Sequence, residues 1–343
     1  MEQFHFNLVR WYEEKKRNLP WRETKNPYLI WLSEIILQQT RVDQGLKYFI
    51  SFKTNFPTIQ DLAKASEMEV LNLWKGLGYY SRARNLHGTA KYIAGNLNGK
   101  FPDNYDNIIK LKGIGSYTAA AISSFAFNEA KAVLDGNVYR VLSRVFGIST
   151  PINSTQGKKE FQALADEILD KANPGTHNQA IMEFGAMQCV PVNPNCENCP
   201  LNFMCVAFSE KKVKQFPIKI GKTKISNKYF VFTIIKENGK ILLEKRTDSG
   251  IWKNLYQFPL TEFESLDEKS AFLNNRAYDF ISSEIKHILS HQHLHCTFVI
   301  SRKKAQIHHP NYSWVSSKEI DEFPIPRVIE RFIEENHLLI FNT

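Results

Sequence analysis

Apolar positions recur along this chain with two different periods, and the change from one to the other divides it. Over 28–37, 70–77, 103–111 and 117–127 they fall three and four residues apart, the spacing of one helix face. The stretch 158–171 does the same with Phe161, Leu164, Ile168 and Leu169. Gly76, Gly78, Gly95 and Gly113 punctuate this region as turns. Beyond Lys228 the pattern changes to strands: 229–236 and 240–245 flank Glu237-Asn238-Gly239, an Asn-Gly hairpin signal. Between the two regions lies SEKKVKQFPIKIGKTKISNK, residues 209–228, with seven lysines, a proline, a glycine and little periodicity. It reads as a linker. The expected organisation is a mainly α region at 1–208, a basic linker at 209–228 and a smaller α+β domain at 229–343, without internal repeats.

Composition adds a solvent and a partner to that picture. A chain of 343 residues, 43% hydrophobic and 23% charged, can build a sizeable core and is long enough for two domains. It contains no run of about eighteen apolar residues, which argues against a membrane span. The N-terminal MEQFHFNLVRWYEEKKRNLPW has charges on both sides of its apolar residues and no small-residue cleavage site. A cytoplasmic location is therefore expected. The net charge of +9 and pI near 9.1 suggest a polyanionic partner, although many basic proteins bind no nucleic acid.

Five cysteines in such a chain argue for a metal or catalytic role rather than for disulfides. Cys189, Cys196, Cys199 and Cys205 follow C-x6-C-x2-C-x5-C within seventeen residues, interspersed with Pro191, Pro194 and Pro200. Four thiolates so placed can converge on one centre. Zinc takes the same ligands, but zinc ribbons present two separated C-x2-C pairs and this chain has one. The spacing favours iron–sulfur and leaves zinc open. Lys211, Lys212 and Lys214 follow the loop and give it a basic edge suited to a phosphate backbone. Cys296 stands apart and reads as a buried core residue.

The string Leu111-Lys112-Gly113-Ile114-Gly115-Ser116-Tyr117-Thr118-Ala119 joins two helical segments. Gly113 and Gly115 permit a tight turn and let backbone N–H groups approach a phosphate, which the following helix N-terminus also attracts. A lone G-x-G is as common in ordinary helix corners; the full string reads as a helix–hairpin–helix.

Two carboxylates lie near these features. Glu34, in Tyr28-Leu-Ile-Trp-Leu-Ser-Glu-Ile-Ile-Leu-Gln-Gln-Thr40, has Ile30, Trp31, Leu37 and Gln38 as helical neighbours, none of them cationic. Facing inward it would be poorly solvated and stay protonated, as a general acid does near neutral pH. The alternative is a solvated helix edge. Asp135 lies twenty residues past Gly115 in Ala132-Val-Leu-Asp-Gly-Asn-Val-Tyr-Arg140. It has the position of an ordinary helix N-cap, and capping does not exclude chemistry. A carboxylate fixed by backbone donors would stay ionised beside a protonated partner, the division of labour used in glycoside cleavage.

With these residues in place, the chain resembles the adenine DNA glycosylases of the MutY type. The likeness spans nearly the whole length: LPWR at 19–22, WLSEIILQQTRV at 31–42, GLGYYSRARNLH at 76–87, LKGIGSYTA, LDGNV and the four cysteines, in that order. The resemblance implies a helix–hairpin–helix glycosylase fold with a [4Fe-4S] cluster on the four cysteines, then a MutT-like (Nudix-like) domain. It implies a monomer that excises adenine opposite 8-oxoguanine or guanine in double-stranded DNA after flipping the base. By position, Glu34 matches the residue that protonates adenine, and Asp135 the carboxylate that stabilises or transiently bonds the oxocarbenium-like sugar. Tyr117 and Asn137 match assisting residues. Gln39 and Tyr79 match the wedge beside the oxidised guanine, Arg22 and Gln179 the adenine pocket, and Ser290 and His291 the loop that recognises the lesion. The family often has Phe where this chain has Leu289.

Three other readings compete. The endonuclease III type shares the hairpin and the cysteines but uses a lysine after the hairpin for Schiff-base cleavage. Here that position is Tyr117, which forms no imine, so a monofunctional glycosylase is expected. A non-catalytic damage sensor would need neither Glu34 nor Asp135. A nucleotide-pool hydrolase would need a Gly- and Glu-rich metal helix, and LTEFESLDEKSAF after Phe258-Pro259 lacks that arrangement. The histidine-rich run 287–295 reads as a strand with one polar face rather than a metal site.

Overall fold

The computed structural model describes residues 2–221, 225–301 and 310–341. They form two compact units, Met1–Lys64 with Asn85–Gly221 and Ala65–Arg84 with Lys222–Thr343. The second unit thus takes in a short segment from the N-terminal half of the chain. Among the described residues no helix is long and apolar enough to cross a membrane.

Helices α1 (Glu2–Lys15), α2 (Pro27–Leu37), α3 (Val42–Asn55), α4 (Ile59–Lys64), α5 (Glu67–Leu73) and α6 (Ser81–Asn96) come first. They are followed by α7 (Tyr105–Ile108), α8 (Ser116–Phe127), α9 (Gly136–Phe146), α10 (Thr155–Ile168), α11 (Pro174–Met187) and α12 (Val206–Ser209). In the first unit α2 and α8 pack on each other at the centre, and α8, α9 and α1 all pack on α11. The central two are apolar around most of their circumference, as a helix buried on all sides must be. Asn26 caps α2 by accepting from the Tyr28 N–H at 2.9 Å, and Pro27 occupies its first turn, where no N–H is needed. Gly185 lets α11 approach the start of α9: a Cβ there would lie 2.9 Å from the Asn137 carbonyl oxygen.

Two expectations shift by a turn. The segment 70–77 is helical only to Leu73, because Gly76 and Gly78 take positive φ values of 87° and 76° and turn the chain. Gly95 does not interrupt anything; it lies in the last turn of α6, whose buried Leu86, Ala90 and Ile93 hold the helix together despite its low propensity.

In the second unit β1 (Ser226–Ile234), β2 (Lys236–Glu237), β3 (Lys240–Lys245), β4 (Tyr256–Gln257) and β5 (Leu260–Phe263) precede α13 (Leu266–Asn274). Then come β6 (Tyr278–Ile281), β7 (Ile285–Ile288), β8 (Gln292–Ser301), β9 (Tyr312–Ser316), α14 (Arg327–Glu335) and α15 (His337–Phe341). One sheet runs β5-β1-β8-β6 with β7 also on β8; β1 and β8 are parallel and the other pairs antiparallel. A second, antiparallel sheet runs β2-β3-β4 with β9 on β3. The expected turn at Asn238-Gly239 joins β2 to β3, with φ of 49° and 71°. Phe230, Phe232, Phe258 and Phe298 form the core, and Phe298 stacks on Phe332 of α14 at 3.9 Å. Cys296 is fully buried on β8. Of the lysine-rich stretch 209–228, residues 222–224 lie outside the described residues, and β1 begins at Ser226.

Candidate active site

Glu34 is the one charged side chain of α2, and the burial of that helix on all sides takes the carboxyl in with it, 7% exposed. Burial pushes its pKa up to about 7; a hydrogen bond shared with Tyr117 opposes the rise and the charge of Asp135 adds to it. Tyr117 belongs to the first turn of α8, directly after Gly115. Its hydroxyl also lies 3.9 Å from Met182 Sδ of α11, and burial, with the two carboxylates beside it, keeps the phenol protonated.

Asp135 caps α9. One carboxyl oxygen accepts from the Asn137 and Val138 N–H groups, both at 2.8 Å, and the other from Asn137 Nδ2 at 2.8 Å. Burial raises the Asp135 pKa above its ordinary value by more than these donors and Arg140 lower it. Even so, three donors and a nearby cation favour the anion at Asp135, while Glu34 is ranked high by desolvation. Glu34, with its pKa of about 7, keeps a proton up to near neutral pH.

The surrounding network uses residues that the sequence pattern does not single out. Arg140, one turn into α9, donates to Asn137 Oδ1 at 2.8 Å, to the Gly185 carbonyl at 2.5 Å and to the Cys189 carbonyl at 2.7 Å. Glu183 of α11, 1% exposed, takes paired hydrogen bonds from Arg17 and from Arg22. Burial alone would raise its pKa, but the two guanidinium groups hold it down at about 2. Arg22 is thereby fixed where its field also reaches Glu34. Gln179, one turn earlier on α11, accepts from the Tyr12 hydroxyl at 2.7 Å. The only sequence signal for Glu183 is a carboxylate amid the apolar run of α11, which resembles an ordinary amphipathic face.

The hairpin has its predicted form. Gly113 has φ 80°, and a Cβ there would lie 2.7 Å from Asn85 Cβ; Thr89 Oγ1 donates to the Lys112 carbonyl at 2.8 Å. Gly115 is the N-cap of α8 and offers no side-chain acceptor, so the first-turn N–H groups stay free of a side-chain cap. Gln39 is exposed on the turn after α2 with φ 57°.

Cys189, Cys196, Cys199 and Cys205 line one cavity with Arg144, and burial raises the pKa of Cys196, Cys199 and Cys205. Burial pushes the Cys199 thiol up to about 12. Among the described residues no three His, Cys, Asp or Glu groups close on a single-ion position. Arg144 of α9, 3% exposed, donates to the carbonyls of Val190 and Pro191 at 2.8 and 3.1 Å and to Cys189 Sγ at 3.4 Å, which ties the cysteine loop to that helix.

In the second unit Tyr79 and Ser290 meet: the phenol donates to Ser290 Oγ at 2.9 Å. They line a cavity of about 720 Å³ together with His291.

Comparison with known proteins agrees with both units. A model of the HhH-GPD superfamily base excision DNA repair proteins matches residues 32–170, and a NUDIX domain model matches 230–335. An adenine DNA glycosylase of Buchnera aphidicola subsp. Acyrthosiphon pisum (strain APS) is 35% identical over 97% of this chain and 97% of its own. The adenine DNA glycosylase of Homo sapiens is 43% identical over 60% of this chain and 39% of its own. Among solved structures, a thermostable thymine-DNA glycosylase superposes with a TM-score of 0.57 at 29% identity, covering 61% of this chain and 96% of its own. An endonuclease III in a non-covalent DNA complex gives 0.53 at 21%, covering 61% and 97%, which speaks to the fold alone.

Proposed function

Since the chain belongs to the adenine DNA glycosylase family of base-excision repair enzymes, we propose that it hydrolyses the N-glycosidic bond of adenine paired with 8-oxoguanine or guanine in duplex DNA, acting as a monofunctional monomer. The observation that carries this reading is the buried pair of unequal carboxyls, Glu34 with a pKa near 7 and Asp135 held by three donors. Cleaving a purine from its sugar requires a proton for the leaving base and a negative charge for the cationic sugar, and this pair supplies both.

The adenine must leave the stack to reach these groups. Glu34 donates its proton to the ring of the extruded base. Electrons of the glycosidic bond leave with the base, and the sugar becomes oxocarbenium-like. Asp135, oriented by Asn137, stabilises that cation or bonds to it transiently, and Glu34, now ionised, directs the water that completes hydrolysis. Tyr117 holds Glu34 and provides no amine, so no imine forms and the strand is left intact. Arg22 and Gln179, anchored by Glu183 and Tyr12, border the adenine. The hairpin N–H groups around Gly113 and Gly115 and the lysines at 211, 212 and 214 take backbone phosphates. Gln39 and Tyr79 wedge beside the lesion, and Ser290 and His291 read it.

Four half-buried thiols around one cavity form a donor set that suits an iron–sulfur cluster, which would hold them as thiolates. Cys189, Cys196, Cys199 and Cys205 would hold a [4Fe-4S] cluster, whose contribution here is to cross-link the loop 189–205 beside α9.

The deciding experiment incubates the protein with duplexes containing adenine opposite 8-oxoguanine, with and without alkaline treatment. Free adenine with strand breaks only after alkali supports the proposal. Breaks without alkali would indicate a lyase, and binding without adenine release would indicate a sensor.

A further inference from the structure

The cavity of about 720 Å³ in the second unit is large enough for a nucleotide-sized group. Two of its wall residues share an uncommon backbone. Tyr79 has φ 48° and Trp252 has φ 60°, the left-handed region in which a bulky side chain crowds its own main chain. Glycines at positive φ stand close by each, Gly78 at 76° and Gly250 at 119°. Both turns therefore contain the residue that tolerates such angles, and each still places an aromatic ring in a strained position. Strain of this kind persists where the surroundings over-determine it, and it gathers at sites that bind.

Trp252 is fixed from several directions. Its indole meets Phe230 edge-on with centroids 6.1 Å apart, and its carbonyl accepts from the Leu255 N–H at 3.0 Å. Asn254 N–H donates to the Arg246 carbonyl at 2.7 Å, closing the same loop. The indole also lies against His287, centroids 5.9 Å apart. His287 is on β7, and the turn from β7 to β8 carries Ser290 and His291, closed by the Leu289 N–H donating to the Gln292 carbonyl at 2.8 Å. Any shift of the indole is thus passed through one ring contact to the base of that turn.

We propose that Trp252 is a specificity-determining positioning residue: it sets the height of the Ser290–His291 turn through His287 and gives the cavity a flat wall, besides Tyr79, for an oxidised purine. The proposal rests on the lesion-reading role given above to Ser290 and His291. Relative to guanine, 8-oxoguanine bears an oxygen on C8 and a hydrogen on N7. Telling the two apart depends on hydrogen bonds that fade within a few tenths of an ångström, so the height of the turn decides the outcome.

The test uses the full-length protein and compares single-turnover excision and affinity for adenine opposite 8-oxoguanine and opposite guanine. Trp252→Leu keeps the apolar bulk and removes the flat ring; Trp252→Phe keeps a ring. The expected result is a fall of about tenfold in the 8-oxoguanine-to-guanine ratio for Trp252→Leu, with the ratio restored by Trp252→Phe. Should Trp252→Leu fail to fold, His287→Leu removes the same ring contact and should lower the ratio likewise. An unchanged ratio in a folded Trp252→Leu protein overturns the proposal, as does an equal loss on both substrates. Absence of any preference in the unsubstituted protein sinks the lesion reading itself, and this proposal with it.

Discussion

Glu34 is a carboxyl kept where water would otherwise ionise it. Its pKa of about 7 lies above the ordinary 4.5, so the folded protein binds a proton that the unfolded chain releases. For such a raised acid the cost to stability is absent below about pH 4.5, grows as pH rises and is complete above about 7. Glu34→Gln should accordingly stabilise the protein at pH 8 by up to about 3 kcal/mol and hardly at all at pH 4, measured by urea unfolding. The same substitution should slow adenine release by about 10²–10⁴-fold while leaving duplex affinity in place. A variant that turns over at full rate would remove Glu34 from the mechanism. In the unsubstituted protein, single-turnover excision should decline as pH rises above about 7, where the acid form is lost. A flat profile up to pH 9 would assign the proton to another donor.

At the scale of elements, the active groups stand at helix starts and on central helices. The α7–α8 hairpin depends on Gly113, whose φ of 80° and 2.7 Å Cβ approach to Asn85 exclude a side chain. Gly113→Ala should destabilise by about 1–3 kcal/mol and weaken binding to all duplexes alike, because the contacts proposed for the hairpin are with phosphates and not with bases. A binding loss confined to one base pair would contradict the phosphate role. Helix α9 has the capped Asp135 at its start and Arg144 near its end, against the loop of cysteines. Cys199→Ser should diminish the visible absorption of the purified protein and make the loop 189–205 sensitive to protease. Unaltered absorption would count against a cluster on these four residues.

At the scale of the molecule, the second unit takes in Ala65–Arg84 from the N-terminal half. Glu67 accepts from Asn254 Nδ2 at 2.5 Å, Asn72 Nδ2 donates to the Glu322 carbonyl at 2.6 Å and Lys75 pairs with Glu330 at 3.0 Å. Arg84 adds a hydrogen bond to the Lys253 carbonyl at 2.7 Å. A chain ending at residue 221 would lose every one of these partners. Limited proteolysis should then cut within 65–84 in the shortened chain and spare that segment in the full one; equal resistance would show that the segment stands without its C-terminal partners. Shortening should also reduce discrimination of 8-oxoguanine from guanine more than it reduces adenine excision; equal ratios in the two proteins would count against Ser290 and His291.

The sequence by itself determined what depends on neighbours along the chain. Periodicity located α2, α8, β1 and β3, Gly113 fixed a turn whose φ of 80° favours glycine, and C-x6-C-x2-C-x5-C gathered four cysteines on one loop. Ordered motifs also pointed to the family. Tertiary structure alone decided the rest, because desolvation and electrostatic coupling depend on what lies across space. A lone Glu in an apolar run is a surface acid or a buried one until its surroundings are known, and only packing around α2 raises Glu34 to about 7. The cap at Asp135 was legible, but not that burial would outweigh its donors. Glu183 and Arg140 were silent, since Arg17 and Arg22 lie far from Glu183 along the chain, as Gly185 and Cys189 do from Arg140. Likewise no local pattern assigns residues 65–84 to the C-terminal strands, or sets Trp252 beside the turn that carries Ser290 and His291.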